Sequence, residues 1–310
     1  MVKRILLLLM LLSGLSAIPG QAADGISESV RQEIFRTDVR SLKVESSAGF
    51  MAPPVICLGG DDSLTINFDV IGEERDYLRC RLIHCNADWT PSRLLESEYV
   101  EGFNEREVSD YAYSTNTFIH YVNYQVTIPD GDFRPKASGN YILQVYPEDN
   151  PEEIWLQAAF YVSECISEIE GRLTTRTDKG FNTDYQQLEL SVTPSIKEPA
   201  NPYQDILLEI VQNNMTQSSH HINRPLRIEG DRVVYAHHPD LIFPAGNEYR
   251  RFETVRSDYP GMHVDSITRD GRQTMVWLTP DEERADKEYV FDRTQHGRYK
   301  IDEYNSTDPN

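Results

Sequence analysis

The chain has 310 residues, 39% of them hydrophobic and 26% charged, with 17 Tyr, 11 Phe and 3 Trp. At roughly 150 residues per domain this is long enough for two domains, and the aromatic content excludes a disordered chain. The net charge of −20, from 30 Lys+Arg against 50 Asp+Glu, disfavours nucleic acids and anionic lipid surfaces, because no surplus of cations is present to release their counterions. A protein partner, a neutral ligand or a cation stays open.

Residues 1–23 read as a signal peptide. Lys3 and Arg4 form a positive start, Ile5 to Leu12 an unbroken apolar run, and Gly20-Gln21-Ala22-Ala23 a small-residue cleavage zone. The apolar run is far below the ~20 residues that span a bilayer. No cysteine lies at the cleavage zone, which argues against a lipid anchor. The expectation is a soluble, exported chain without direct membrane insertion.

Seven runs follow before residue 165: Val39 to Val44, Pro54 to Leu58, Ser63 to Val70, Tyr77 to Cys85, Phe118 to Ile128, Asn140 to Tyr146 and Trp155 to Val162. They are rich in Val, Ile, Tyr and Phe, and Gly59-Gly60, Asp61-Asp62, Pro129-Asp130-Gly131 and Pro147 punctuate them. Short strands at this density, with no convincing helix between them, predict an immunoglobulin-like β-sandwich over 24–165. Periodicity alone also fits another all-β barrel.

A second series covers 166–304. Its runs are Ile166 to Thr174, Tyr185 to Thr193, Ile206 to Gln212, Leu226 to Ile228, Val233 to Ala236, Tyr249 to Arg256, Met262 to Ile267, Thr274 to Leu278 and Tyr289 to Phe291. Tyr299 to Tyr304 could add one more strand before the polar end at 305–310. The fold class is thus all-β, in tandem immunoglobulin-like β-sandwich domains with a boundary near Ser163 to Ser167.

Two local features qualify this pattern. Cys80 and Cys85 share one predicted strand but, five residues apart, face opposite ways. Buried free thiols are therefore the first reading for Cys57, Cys80, Cys85 and Cys165, and one long-range bridge is the alternative. The second feature is the connection of some thirty residues between Cys85 and Phe118, which is aromatic and acidic. Such length is uncommon in compact domains and often functional. The larger share goes to aromatics packing back on their own sandwich. The sharper reading makes Trp89, Tyr99, Phe103, Tyr111 and Tyr113 a partner-binding surface, with Leu94 to Tyr113 as its core segment.

The search for catalysis finds no nucleophile elbow, H-E-x-x-H, phosphate loop or dinucleotide fingerprint. His220-His221 and His237-His238 are adjacent pairs, so each offers one ligand at most to a site. His221, His237 and Asp240 could meet, but solvated or hydrogen-bonded loop histidines are the better reading. No acidic pair has the spacing of a calcium loop. Trp155 and Trp277 lie in predicted strands and read as core rather than sugar platforms. The expectation is no enzyme, no catalytic residues, no metal and no cofactor.

Leu82-Ile-His-Cys-Asn-Ala-Asp-Trp-Thr-Pro91, Gly102-Phe-Asn-Glu105, Asn123-Tyr-Gln-Val-Thr-Ile-Pro129, Ser138-Gly-Asn-Tyr-Ile-Leu-Gln-Val-Tyr146 and Phe243-Pro-Ala-Gly-Asn-Glu-Tyr-Arg-Arg-Phe-Glu253 resemble the plug protein family of the bacterial type IX secretion system. The resemblance covers roughly residues 30 to 303, and His84-Cys-Asn-Ala-Asp-Trp89 is its most specific part. It implies a periplasmic protein of immunoglobulin-like domains at the inner face of the outer membrane. Its implied partner is the very large translocon barrel, whose periplasmic opening it occludes when no substrate is crossing. The family carries a further C-terminal β domain and this sequence stops at Asn310, so a fragment or shortened member is expected. The motif residues His84, Cys85, Asn86, Asp88, Gly102, Asn104, Gly139 and Tyr141 are expected to be structural. On the strand, Ile83 and Cys85 mark the core face. A carbohydrate- or surface-binding β-sandwich module is the alternative function.

Overall fold

The structure is a computed structural model that describes residues 32–282, apart from 50–51, 181–183, 195–198, 200, 214–218, 246–249, 257 and 272. The signal peptide and the expected strands at 289–291 and 299–304 lie outside the described residues. Within them the chain is all-β, built from antiparallel sheets that pack as a sandwich.

Alternation builds the larger core. In Leu64–Ile71, Leu64, Ile66, Phe68 and Val70 point inward while Thr65, Asn67 and Asp69 point out. Tyr121–Ile128 does the same and pairs with it in register, placing Tyr124 opposite Phe68. Their rings stack at 5.3 Å. With Val39–Ser46 and Asp110–Tyr113 on its flanks, this forms a four-stranded sheet.

The facing sheet runs Glu33–Ile34, Leu156–Ser163, Gly139–Pro147, Leu78–Cys85 and Arg106–Glu107, with Val55–Cys57 added in parallel along Leu156–Ser163. Leu78, Cys80, Leu82, Tyr141, Leu143, Val145, Leu156, Ala158 and Phe160 fill the space between the sheets. Gly139–Pro147 is the central strand and carries a nearly unbroken buried run. A strand covered on both faces has no polar side to alternate with.

This packing corrects the expected core face of Leu78–Cys85. The main core takes Leu78, Cys80, Leu82 and His84, not Ile83 and Cys85. Cys85 is buried all the same, in a second small cluster on the outer side with Trp89 and Ile142. This facing sheet thus has apolar cover on both faces near Cys85, although Arg79 and Arg81 share the side of Ile83 and Cys85.

The cysteines divide. Cys57 and Cys165, expected first as thiols, form a disulfide with Cα atoms 5.8 Å apart, while Cys80 and Cys85 are free and buried. Burial pushes both thiols up to about 12.

After Cys165 the sheets have a core of their own. Ser167–Thr174, Tyr185–Pro194, Arg232–Tyr235 and Arg227–Glu229 form one sheet, with Ile242–Pro244 added beside Tyr185–Pro194. Leu208–Ile210 pairs with His220–Ile222, and Val264–Asp270 with Gln273–Leu278. Val192, Ile222, Val233, Tyr235 and Leu241 form the buried centre. Two expectations fail here. Residues 250–256 are not a strand: the segment is irregular, the Glu253 N–H bonds back to the Met262 carbonyl, and Arg251 and Arg256 form exposed ion pairs with Glu253 and Asp258 two residues on. Trp277 is 53% exposed rather than core, whereas Trp155 is buried beneath the Arg36 guanidinium, 3.8 Å from its ring centre.

Candidate functional site

His84, Cys85, Asn86, Asp88, Gly139 and Tyr141 lie at one end of the Leu78–Cys85 strand, with Asn104 beside Leu82 farther along it. Beyond it the chain turns sharply: the Trp89 N–H bonds the Asn86 carbonyl at 2.9 Å, and the Asn86 N–H bonds the Thr90 carbonyl at 2.8 Å. Asp88 Oδ1 accepts from the Thr90 N–H at 3.0 Å and from its hydroxyl at 2.6 Å. These bonds to Thr90 hold the Asp88 carboxyl below its ordinary value. Asn86 Nδ2 donates to Thr90 Oγ1, and Asn140 Nδ2 donates to the Asn86 carbonyl, tying the turn to the next strand.

Trp89 closes the turn with φ at +67°, a conformation that costs an L-residue roughly 1–2 kcal/mol. Its indole is buried edge-on to Tyr161 at 5.4 Å and against Cys85 and Ile142, which offsets that strain. The tryptophan therefore seals the outer face of the sheet and is not presented to a partner.

His84 lies on the inner face. Its Nε2 donates to the Ser138 carbonyl at 3.0 Å, and its ring packs edge-on to Tyr141 at 5.1 Å and against Tyr99 at 5.6 Å. A Cβ on Gly139, whose φ is +151°, would run into that imidazole. Tyr141 donates to the Ala137 carbonyl at 2.8 Å and stacks on Phe160, and burial raises its phenol. Gly102, at φ +80°, passes close to Asp132, where a Cβ would stand 2.8 Å from the carbonyl oxygen. Asn104 is buried and bonds the Leu82 backbone.

The long connection is not a bare loop. It contains a helical turn at Glu96–Tyr99 and short strands at Val100–Glu101, Arg106–Glu107 and Asp110–Tyr113. Tyr99, Val100 and Val108 enter the main core, so Tyr99 is not surface. Phe103 is 84% exposed and Tyr113 is exposed. Tyr111 is half-buried at 6.2 Å from Tyr124, with the Arg75 guanidinium 4.4 Å over its ring and 4.7 Å over Tyr77. The five expected contact residues therefore do not form one surface: two are packed inside, one is half-covered, and Phe103 and Tyr113 are accessible. The Arg75 clamp escaped the sequence reading, because Glu73-Glu74-Arg75-Asp76 looks like an ordinary solvated charge run.

The histidines are spent locally. His220 Nδ1 lies 2.8 Å from the Asp240 carbonyl, His237 Nδ1 is 2.8 Å from Asp178, and His238 Nδ1 accepts from the Asp240 N–H. His221 lies 3.8 Å from Glu209. Among the described residues no three His, Cys, Asp or Glu side chains gather as metal ligands, and no helix is long and apolar enough to cross a membrane.

Residues 39–164 match the family model described as "Type 9 secretion system plug protein 1st domain". The crystal structure of a hypothetical protein from Parabacteroides merdae ATCC 43184 superposes with a TM-score of 0.83 at 33% sequence identity, covering 90% of this chain and 70% of that one. No curated protein matches the chain.

Proposed function

This chain belongs to the type IX secretion system plug family, and we propose that it is a non-enzymatic subunit that binds the periplasmic opening of the outer-membrane translocon barrel and occludes it between substrates. A role associated with type IX secretion, in the cell envelope, comes with the family. The finer reading adds export by residues 1–23, residence at the inner face of the outer membrane, and the barrel as direct partner.

The observation that carries it is the match of residues 39–164 to the family's first domain, the same stretch that supplies the large sandwich core. Occlusion requires bulk, rigidity and a shaped face, and a sandwich with apolar cover on both sides of one sheet supplies these. The motif residues serve that rigidity: they close a turn, fix a histidine between two tyrosines, and fill an edge of the sheet.

The test is reconstitution. The detergent-solubilised barrel is placed in vesicles loaded with a fluorescent dextran, and the mature chain is added to the periplasmic side. Plugging predicts capture of the barrel by the chain and slower dextran efflux. Failure to capture it, with retention on a soluble glycan instead, would overturn the proposal in favour of a surface-binding module.

A further inference from the structure

The loop between Asp110–Tyr113 and Tyr121–Ile128 departs from the sequence reading, which began a strand at Phe118. The strand begins three residues later, and residues 114–120 form a bonded turn. The Ser114 N–H donates to the Tyr121 carbonyl at 2.9 Å, and the Tyr121 N–H donates to Ser114 Oγ at 3.0 Å. Asn116 takes φ +58°, and Thr117 Oγ1 donates to the Ile119 carbonyl at 2.8 Å. The Gly72 N–H bonds the His120 carbonyl at 3.0 Å, which anchors the turn to the neighbouring strand end.

The polar residues of this turn make its bonds, while its two large apolar residues face outward. Phe118 is 99% exposed and Ile119 64%, and Ile71, opposite Tyr121 in the adjacent strand, is exposed too. Isolated exposed apolar residues are ordinary. Here Phe118 and Ile119 are consecutive on a turn that is already braced, with Ile71 at the strand end beside it, so little ordering remains to oppose binding. The surroundings decide what could receive them. Residues 114–120 contain no Lys or Arg, and the exposed Glu73 and Glu74 follow Gly72 directly. Loops that enter bilayers gain from basic flanks against anionic headgroups, and this tip has acidic ones.

We infer that Phe118 and Ile119 form a docking finger that enters an apolar pocket with a cationic rim on the translocon barrel, an inference that rests on the plug reading above. The aromatic ring supplies the buried anchor, and Glu73 and Glu74 steer the approach and fix its orientation.

The experiment measures binding of the mature chain to the detergent-solubilised barrel, alongside melting temperature. The double variant Phe118→Ser, Ile119→Ser, and separately Phe118→Asp, should each weaken affinity roughly tenfold or more with the melting temperature unchanged. The double variant Glu73→Lys, Glu74→Lys should slow association at low salt. If wild type binds the barrel and the finger variants bind equally well, the finger is wrong and the plug reading stands. If wild type does not bind, both fall. Co-sedimentation with phosphatidylethanolamine–phosphatidylglycerol vesicles, or self-association, that the finger variants abolish would assign the tip to lipid or to a second copy and overturn the inference.

Discussion

Asn104 stands beside Leu82 in place of a missing strand: its Oδ1 accepts from the Leu82 N–H at 2.9 Å and its Nδ2 donates to the Leu82 carbonyl at 2.8 Å. The edge strand Arg106–Glu107 pairs only as far as Arg79 and Cys80. One side-chain amide extends that ladder to Leu82, inside the protein, where an unpaired peptide group would be costly. Asn104→Ala leaves the Leu82 N–H without its partner, at about 1–3 kcal/mol, while the Tyr99 hydroxyl still donates to the Leu82 carbonyl. Urea unfolding should show a lower midpoint with an unchanged slope. Asn104→Asp should not rescue it, because a buried carboxylate would face the Leu82 carbonyl and the Glu96 carboxylate that the amide now donates to.

Tyr99 and Phe103, four residues apart in one connection, should respond in opposite ways. Tyr99 is 7% exposed, its hydroxyl donates to the Leu82 carbonyl, and it packs on His84 and Tyr141. Tyr99→Ser should cost about 3–5 kcal/mol, in the range for deleting a buried aromatic. Phe103→Ser should stay within about 0.5 kcal/mol of wild type. Thermal or chemical unfolding of the two single variants decides the matter, and a stable Tyr99→Ser chain would contradict the packing.

The thiol chemistry is also predictable. With both free thiols buried and pushed up to about 12, almost no thiolate exists at pH 8, and the thiolate is the nucleophile. The native chain should not react with Ellman's reagent, and the unfolded, unreduced chain should titrate Cys80 and Cys85 only. Replacing Cys57 and Cys165 by Ser should lower stability by about 2–5 kcal/mol, since the bridge closes a long loop in the unfolded chain.

Asp88 should give a pH signature. Its carboxyl is held below the ordinary 3.8 by the side-chain and backbone bonds to Thr90. A depressed folded value means that the stabilisation is complete above about pH 4, where the unfolded group is ionised, and is lost as pH falls through the folded value. Asp88→Asn should therefore melt below wild type at pH 7, and the gap should close below about pH 4. A gap that is constant from pH 7 to pH 2 would show that the charge of Asp88 plays no part in the turn.

The sandwich was legible because Leu64, Ile66, Phe68 and Val70 alternate with polar residues, as do Val122, Tyr124, Val126 and Ile128. The face of Leu78–Cys85 was not, because apolar residues occupy both sides and the cover over Ile83 and Cys85 comes from Trp89, whose fold-back depends on a turn at positive φ. The partner of Cys57 is set by how Val55–Cys57 lies along Leu156–Ser163, a pairing across more than a hundred residues that spacing does not encode. Within the family motif, His84, Gly139 and Tyr141 pack on one another across two strands, a contact that their separation in sequence does not announce. Phe118 and Ile119 read as the start of a strand because β-formers are also what a protruding apolar tip is made of.

The Cys57–Cys165 bridge changes how the chain carries mechanical load. Tension applied between the two ends passes from residue 57 to residue 165 through the sulfur atoms and bypasses everything between them. The strands from Leu64 to Ser163 sit inside that shunt. Their 108-residue separation would otherwise yield roughly 390 Å of contour length at ~3.6 Å per residue. Pulling can strip away Val39–Ser46 and the sheets after Cys165, but it cannot unravel the looped strands until the bridge is reduced. Until the bridge is reduced, that makes the central fold inextensible.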